Sequence, residues 1–151
     1  MCLVEEKKNP RIARFIEFYE KQIPFHKFLD IKVLELKKGY VKMRVPFRPE
    51  IVGDIRKGAW HGGAIATALD AAGGMAAASQ LTSVEDNLAT LDIRIDFLKT
   101  NTSASILVTG EVLRSGNRSI VTNLKAFDEA SNTLLADGRA VFSVKRTKKT
   151  K

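Results

Sequence analysis

Residues 62–80 read GGAIATALDAAGGMAAASQ. Alanine, the strongest helix former, dominates the stretch, and Asp70 is its single charge. A helix that is apolar nearly all round is buried nearly all round. Gly63, Gly73 and Gly74 weaken it by about 1 kcal/mol each relative to alanine, but let neighbouring backbone come close. The expectation is a smooth central helix with other elements wrapped about it.

The wrapping comes from the flanking sequence. Four strand-like segments follow at 88–98, 104–114, 118–128 and 133–145, joined by polar or turn-like connectors. In the first, Leu91, Ile93, Ile95 and Phe97 alternate with Asp92, Arg94 and Asp96. In the last, Leu134, Ala136, Gly138, Ala140, Phe142 and Val144 share one face, small at its middle, where a helix of small residues can settle. Upstream, 31–37 and 40–47 read as two strands joined at Lys38-Gly39. Before them Ile12, Phe15, Ile16 and Tyr19 fall at helical spacing after Pro10, in a short helix closed off near Pro24. The order predicts an α+β domain: a mostly antiparallel sheet curled around one long central helix, with a short N-terminal helix.

A chain of 151 residues, 44% hydrophobic and 28% charged, suits one domain spanning 1–151, with 1–9 and 146–151 expected to fray. Cys2 is the single cysteine and reads as a free thiol without a role; two histidines, His26 and His61, are too few for a histidine-rich metal site. No apolar run reaches the roughly 18 residues of a membrane span, and MCLVEEKKNPR lacks the apolar middle of a signal peptide. The expectation is a cytoplasmic protein with no membrane partner. Its net charge of +8 owes five cations to residues 145–151 and falls to +3 without them. That tail reads as a solvated terminus. No helix-turn-helix, zinc finger or aromatic-basic interleaving supports nucleic acid as a partner.

Two features of 60–70 carry chemistry. His61-Gly62-Gly63 opens the helix, where backbone N–H groups point out of the positive pole and suit a negative or developing-negative oxygen. Asp70 is the second. Of the residues within a helical turn, only Thr67 offers it a hydrogen bond. It is either turned to solvent or satisfied by a backbone donor, or it is a catalytic carboxylate whose isolation strengthens it as a base. Eight residues of helix separate Gly62 from Asp70 by roughly 12 Å. One helix cannot bring both to one carbon; a second copy, antiparallel across a dimer axis, can.

His61-Gly62-Gly63 with Asp70 nine residues after the histidine resembles the HGG…D signature of hotdog-fold acyl-CoA thioesterases. The nearest branch is the phenylacetyl-CoA thioesterase-like one of the 4-hydroxybenzoyl-CoA thioesterase superfamily. Residues 90–98 (TLDIRIDFL), 113–118 (LRSGNR) and 136–140 (ADGRA) are similar to that family's later strands, and the likeness runs from about 23 to 144. The resemblance implies a hotdog fold and a homodimer, often doubled to a tetramer, with sites at the dimer interface. It implies hydrolysis of an acyl-CoA substrate to free acid and CoA, without metal or cofactor. The Gly62 amide would hold the thioester oxygen, with Gly63 beside it in substrate binding. Asp70 of the partner would be general base or nucleophile, and His61 would orient the carbonyl or merely cap the helix. Thr90 would position the water. Simple alternation puts Thr90 with Asp92 and Arg94, so it reaches the site only through a strand start or a bulge.

One departure stands out. Asp54 occupies the loop where the family commonly has Asn, and an ionised Asp cannot donate to a carbonyl oxygen. It is either a turn residue outside the site or a substrate-binding residue that changes the site's electrostatics. Arg114, with the hairpin Gly116-Asn117-Arg118, offers amides and guanidinium groups to the phosphates of CoA, or is a plain turn. Trp60, Met75 and Phe28 are either acyl-pocket lining or core. Two alternatives remain open: a non-catalytic acyl-CoA-binding or regulatory hotdog protein, and an acyl-thioester dehydratase.

Overall fold

The computed structural model describes residues 9–83, 85–99 and 102–147. Cys2, Lys148, Lys149 and Lys151 lie outside them. Asn9 caps α1 (Pro10–Glu17), its side chain accepting the Arg11 N–H at 3.0 Å. The sequence closes this helix near Pro24, but a π-helical turn (Phe18–Gln22) leads into a second short helix, α2 (Pro24–Phe28). Proline at a first helical position loses nothing, since its N–H would have no partner there.

The remaining elements are β1 (Lys32–Lys37), β2 (Tyr40–Val45), β3 (Val52–Asp54), β4 (Ala59–Trp60), α3 (Gly62–Ala78), β5 (Asn87–Phe97), β6 (Ile106–Ser115), β7 (Ser119–Asp128) and β8 (Leu134–Lys145). Six strands form one sheet in the order β1-β2-β6-β7-β8-β5, every neighbouring pair antiparallel. The sheet packs its inner face on α3, the α+β hotdog arrangement expected from the sequence. Val41, Met43, Ile106, Leu124 and Phe142 face Ile65, Leu69, Met75 and Ala76 in one core. A separate pair, β3–β4, escapes the sequence reading, being only three and two residues long.

The helix settles elsewhere than expected. It lies mainly across β6 and β7 and only lightly on β8. The enabling glycine is Gly110 of β6, where an added Cβ would stand 2.4 Å from the carbonyl oxygen of Ala72. Gly138, read from sequence as part of the seat, instead lies against the neighbouring strand, its would-be Cβ 2.5 Å from the Arg94 carbonyl. Nor is α3 enclosed on every side: Gly63, Ala66, Thr67, Asp70, Gly74 and Ala78 form a stripe that the sheet leaves partly open.

Residues 9, 146 and 147, which the sequence assigns to frayed ends, hold defined bonds. Beyond the Asn9 cap, Thr147 donates its N–H to Asp86 at 3.0 Å and its hydroxyl to the Glu85 carbonyl at 2.9 Å, and Arg146 pairs with Asp86 at 3.6 Å. The Thr147 amide first, with those of Ser83 and Thr82, holds the Asp86 carboxyl below the usual carboxylate range.

If close approach at Gly110 seats the helix, Gly110→Ala should cost about 1–3 kcal/mol, several degrees in Tm. Gly74→Ala meets only ordinary contact with Phe142, at 3.6 Å. It should leave Tm unchanged or raise it, by up to about 1 kcal/mol in helix propensity. Equal melting of both variants would show that the seat tolerates a methyl.

Candidate functional site

The chain is pinned on either side of the helix start. Trp60 is buried, and its indole N–H donates to the Ala104 carbonyl at 2.8 Å while its ring meets Phe47 edge-on. The His61 N–H then donates to the Ile51 carbonyl at 2.8 Å. Opposite, a Cβ on Gly53 would stand 2.6 Å from the His61 Cα, so only glycine lets β3 press against the histidine backbone. Gly53 is a positioning residue that the sequence reading passed over; its signal is a glycine one residue before Asp54 in the loop leading to His61.

His61 is the helix cap. Its Nδ1 accepts the Gly63 N–H at 2.9 Å, so the neutral ring carries its proton on Nε2. The bond engages one of the two glycine amides expected to bind substrate, and Gly63 is spoken for. The Gly62 N–H, first in the helix, has no partner among the described residues, and the ring of Phe97 lies 3.5 Å from where its Cβ would be. This one amide leads out of the positive pole of α3, beside the Phe97 ring.

Asp70 is neither isolated nor deeply buried. Thr90 donates its hydroxyl to Asp70 Oδ1 at 2.9 Å. The bulge that alternation demanded is present: the β5–β8 register shifts between Thr90 and Asp92, which leaves Leu91 as the extra residue and 64% exposed. Thr67 does not serve Asp70; its hydroxyl donates back to the Gly63 carbonyl at 2.9 Å. The charge of Asp70 also reaches two residues of the N-terminal segment, Tyr19 and His26. Burial first, and Asp70 second, push the Tyr19 phenol up to about 12. Sequence spacing gives no hint of this influence, because 43 residues lie between His26 and Asp70.

The other candidates divide. Asp54 is a turn residue: its Oδ1 accepts the Arg56 N–H at 3.0 Å and pairs with the Arg56 guanidinium at 3.3 Å. In the Gly116-Asn117-Arg118 hairpin, the Gly116 N–H donates to the Ser119 carbonyl at 2.8 Å, leaving one amide fewer for a ligand. Arg114 and Arg118 are exposed, with no ion-pair partner among the described residues. The hairpin lies toward the Thr90 end of the sheet, since Thr90 pairs with Phe142 and Phe142 with Ile120. Trp60 and Met75 are core, while Phe28 lies half-exposed under the Arg48 guanidinium, 4.7 Å from its ring centre. Among the described residues no three His, Cys, Asp or Glu gather as a metal would require, and no helix is long and apolar enough to cross a membrane.

His61→Ala removes the cap acceptor and should cost about 0.5–2 kcal/mol, with His61→Asn losing distinctly less. Thermal melts of the pair check this; an unaffected alanine variant would show that the bond to Gly63 contributes nothing.

Residues 57–134 match the model of the Thioesterase superfamily. The protein named "Putative esterase SSO2140" from Saccharolobus solfataricus is 33% identical over 87% of this chain and 91% of its own length. The Medium/long-chain acyl-CoA thioesterase YigI of Salmonella typhimurium is 26% identical over 85% of this chain and 90% of its own. A crystal structure from Shewanella oneidensis, described as related to the thioesterase superfamily, superposes with a TM-score of 0.77 at 28% identity, covering 88% of this chain and 94% of that one. Fold, helix-start motif and relatives agree, and the chain belongs to the thioesterase superfamily.

Proposed function

We propose that the protein is an acyl-CoA thioesterase, of the phenylacetyl-CoA thioesterase-like branch, whose sites are shared across a homodimer. The observation that carries this reading is the Thr90–Asp70 hydrogen bond beside the open stripe of α3. It supports the reading because it leaves a partly buried carboxylate with one oxygen unengaged, as activation of a water needs. The Gly62 amide supplies the other requirement, a donor for the oxyanion. Along one helix the two stand roughly 12 Å apart, so the reacting carbon lies between Gly62 of one protomer and Asp70 of its partner.

The sheet offers the means of pairing. β5 is an edge strand carrying Leu91 and Phe97 at 64% and 46% exposure, with Leu98 just past its end at 59%. An apolar edge of this kind is a template for a second copy, and antiparallel β5–β5 pairing would bring the open stripes of α3 together. Water attacks the carbonyl carbon and passes a proton to Asp70. The oxyanion rests on the Gly62 amide, and its collapse expels the CoA thiolate. Arg114 and Arg118 would meet the nucleotide phosphates. The YigI relative supports a medium- or long-chain acyl group. Asp54, the departure that would favour a non-catalytic binding protein, is engaged in a turn with Arg56.

Asp70→Asn should lower thiol release from an acyl-CoA by about 10²–10⁴-fold. Gly62→Pro removes only the N–H, since proline fits a first helical position after the extended His61 (φ −70°, ψ 129°), and should cost about 10²–10³-fold. Neither variant should change the dimer mass. Refolded together in equal amounts, the two inactive proteins form mixed dimers in which one site carries both lesions and the other none, restoring about a quarter of wild-type activity. Failure of the mixture to recover would refute the shared site. Separately, Arg114→Ala should raise KM for an acyl-CoA more than for an acyl thioester lacking the nucleotide; equal effects would remove Arg114 from CoA binding.

A further inference from the structure

The residues that the sequence offers for an acyl pocket do not supply one. Trp60 and Met75 are 3% and 0% exposed in the core, and Phe28 lies under the Arg48 guanidinium. An acyl group on a carbonyl held at the Gly62 amide needs an apolar surface beside the start of α3, and Phe97 provides it. The ring points at Gly62 tip-first: Cζ, Cε1 and Cε2 stand 3.5, 3.6 and 4.0 Å from where a Gly62 Cβ would be. In a helix the Cα–Cβ bond leaves sideways, while the first N–H leaves along the axis. The ring therefore flanks the amide without capping it.

The main chain holds Phe97 in this place. It is the last residue of β5, paired with Ala136 of β8. Directly after it, the N–H groups of Leu98 and Lys99 both donate to the Leu135 carbonyl, at 2.8 and 3.0 Å. Ile93 and Ile95 precede it on the same face and pack half-buried against the core, whereas Phe97 keeps 46% of its surface exposed. An apolar group laid on a ring already fixed at its backbone removes surface from water at little further ordering cost.

We propose that Phe97 is a specificity-determining residue of the site, its ring receiving the first carbons of the acyl chain beyond the carbonyl bound at Gly62. The substrate class that follows is an acyl-CoA whose chain runs several carbons past the carbonyl; an acetyl group ends too soon to cover the ring. This rests on the thioesterase reading and adds to it the residue that reads the acyl group. In the β5–β5 pairing of that reading, the Phe97 end of one strand runs alongside the Thr90 end of the other, so the ring borders the shared site.

The test compares acetyl-CoA with hexanoyl-CoA by kcat/KM for thiol release, and the wild type should favour hexanoyl-CoA. Phe97→Ala should lower kcat/KM for hexanoyl-CoA about 10- to 50-fold, at about fourfold for each methylene that loses its contact, and for acetyl-CoA less than about threefold. Phe97→Leu keeps an apolar side chain at the strand end, so it preserves the fold better and should fall between the two. A phenylalanine that serves only to hold the dimer edge gives a different result: its loss reduces the amount of active dimer, and both substrates fall by one factor. An unchanged ratio of the two substrates in both variants, or a wild type indifferent to chain length, would overturn the proposal. Asp70→Asn, assayed alongside on hexanoyl-CoA, keeps two failures apart. If it stops thiol release while the Phe97 variants leave the ratio unchanged, only the role of Phe97 falls; if it is fully active, the thioesterase mechanism falls with it.

Discussion

The carbonyl of Ala72 rests directly on the backbone of Gly110, and the architecture depends on that approach. With any side chain at 110 the helix would ride higher, and the positions along its open stripe would move away from the sheet edge. Gly73 makes the same demand one residue on, where a Cβ would stand 2.8 Å from Leu124 and 3.0 Å from the Thr122 hydroxyl. The depth of α3 fixes how far Asp70 stands from β5. A hydrogen bond of 2.9 Å to Thr90 tolerates little variation in that depth. The helix therefore has to be smooth on the side facing the sheet so that its one charge falls at the right height on the other.

Asp70 has the environment that the proposed chemistry requires. Enclosed by sheet on all sides, an aspartate in this helix would carry a desolvation cost of several kcal/mol and would need more than one donor. Fully exposed, it would be an ordinary surface carboxylate. The stripe running through Gly63, Thr67, Asp70 and Gly74 is half covered, and Thr90 satisfies one oxygen of two. The alanines and glycines that build a close-packed helix on one side thus leave a partly open stripe on the other.

Most of this organisation was legible in the sequence. The alanine-rich run placed α3 within two residues of its end, and the alternation of Ile93 and Ile95 with Asp92 and Arg94 placed β5. Motif spacing singled out Gly62 and Asp70, and the conflict between the pleat and Thr90 called for a bulge that is present at Leu91. What failed depended on contacts between distant segments. Gly138 and Gly110 look alike as glycines in strands, and only the position of the helix distinguishes a seat from a strand-to-strand contact. Gly53 carries no local pattern, because its partner is the backbone of His61. The reach of the Asp70 charge to Tyr19 and His26 depends on how the N-terminal segment folds back. Pro24 reads as a stop, but it begins α2.

The two histidines show how backbone geometry can assign opposite roles to one side chain. His61 stands at a helix start, where amides need acceptors, and Nδ1 answers that need. His26 stands where a helix has run into a proline and left a carbonyl without its donor, and Nδ1 answers in the other sense. Each imidazole has its protonation pattern chosen by the main chain before any substrate arrives. At His61 the outward nitrogen is a donor, beside the amide that would receive a negative oxygen. At His26 it is an acceptor.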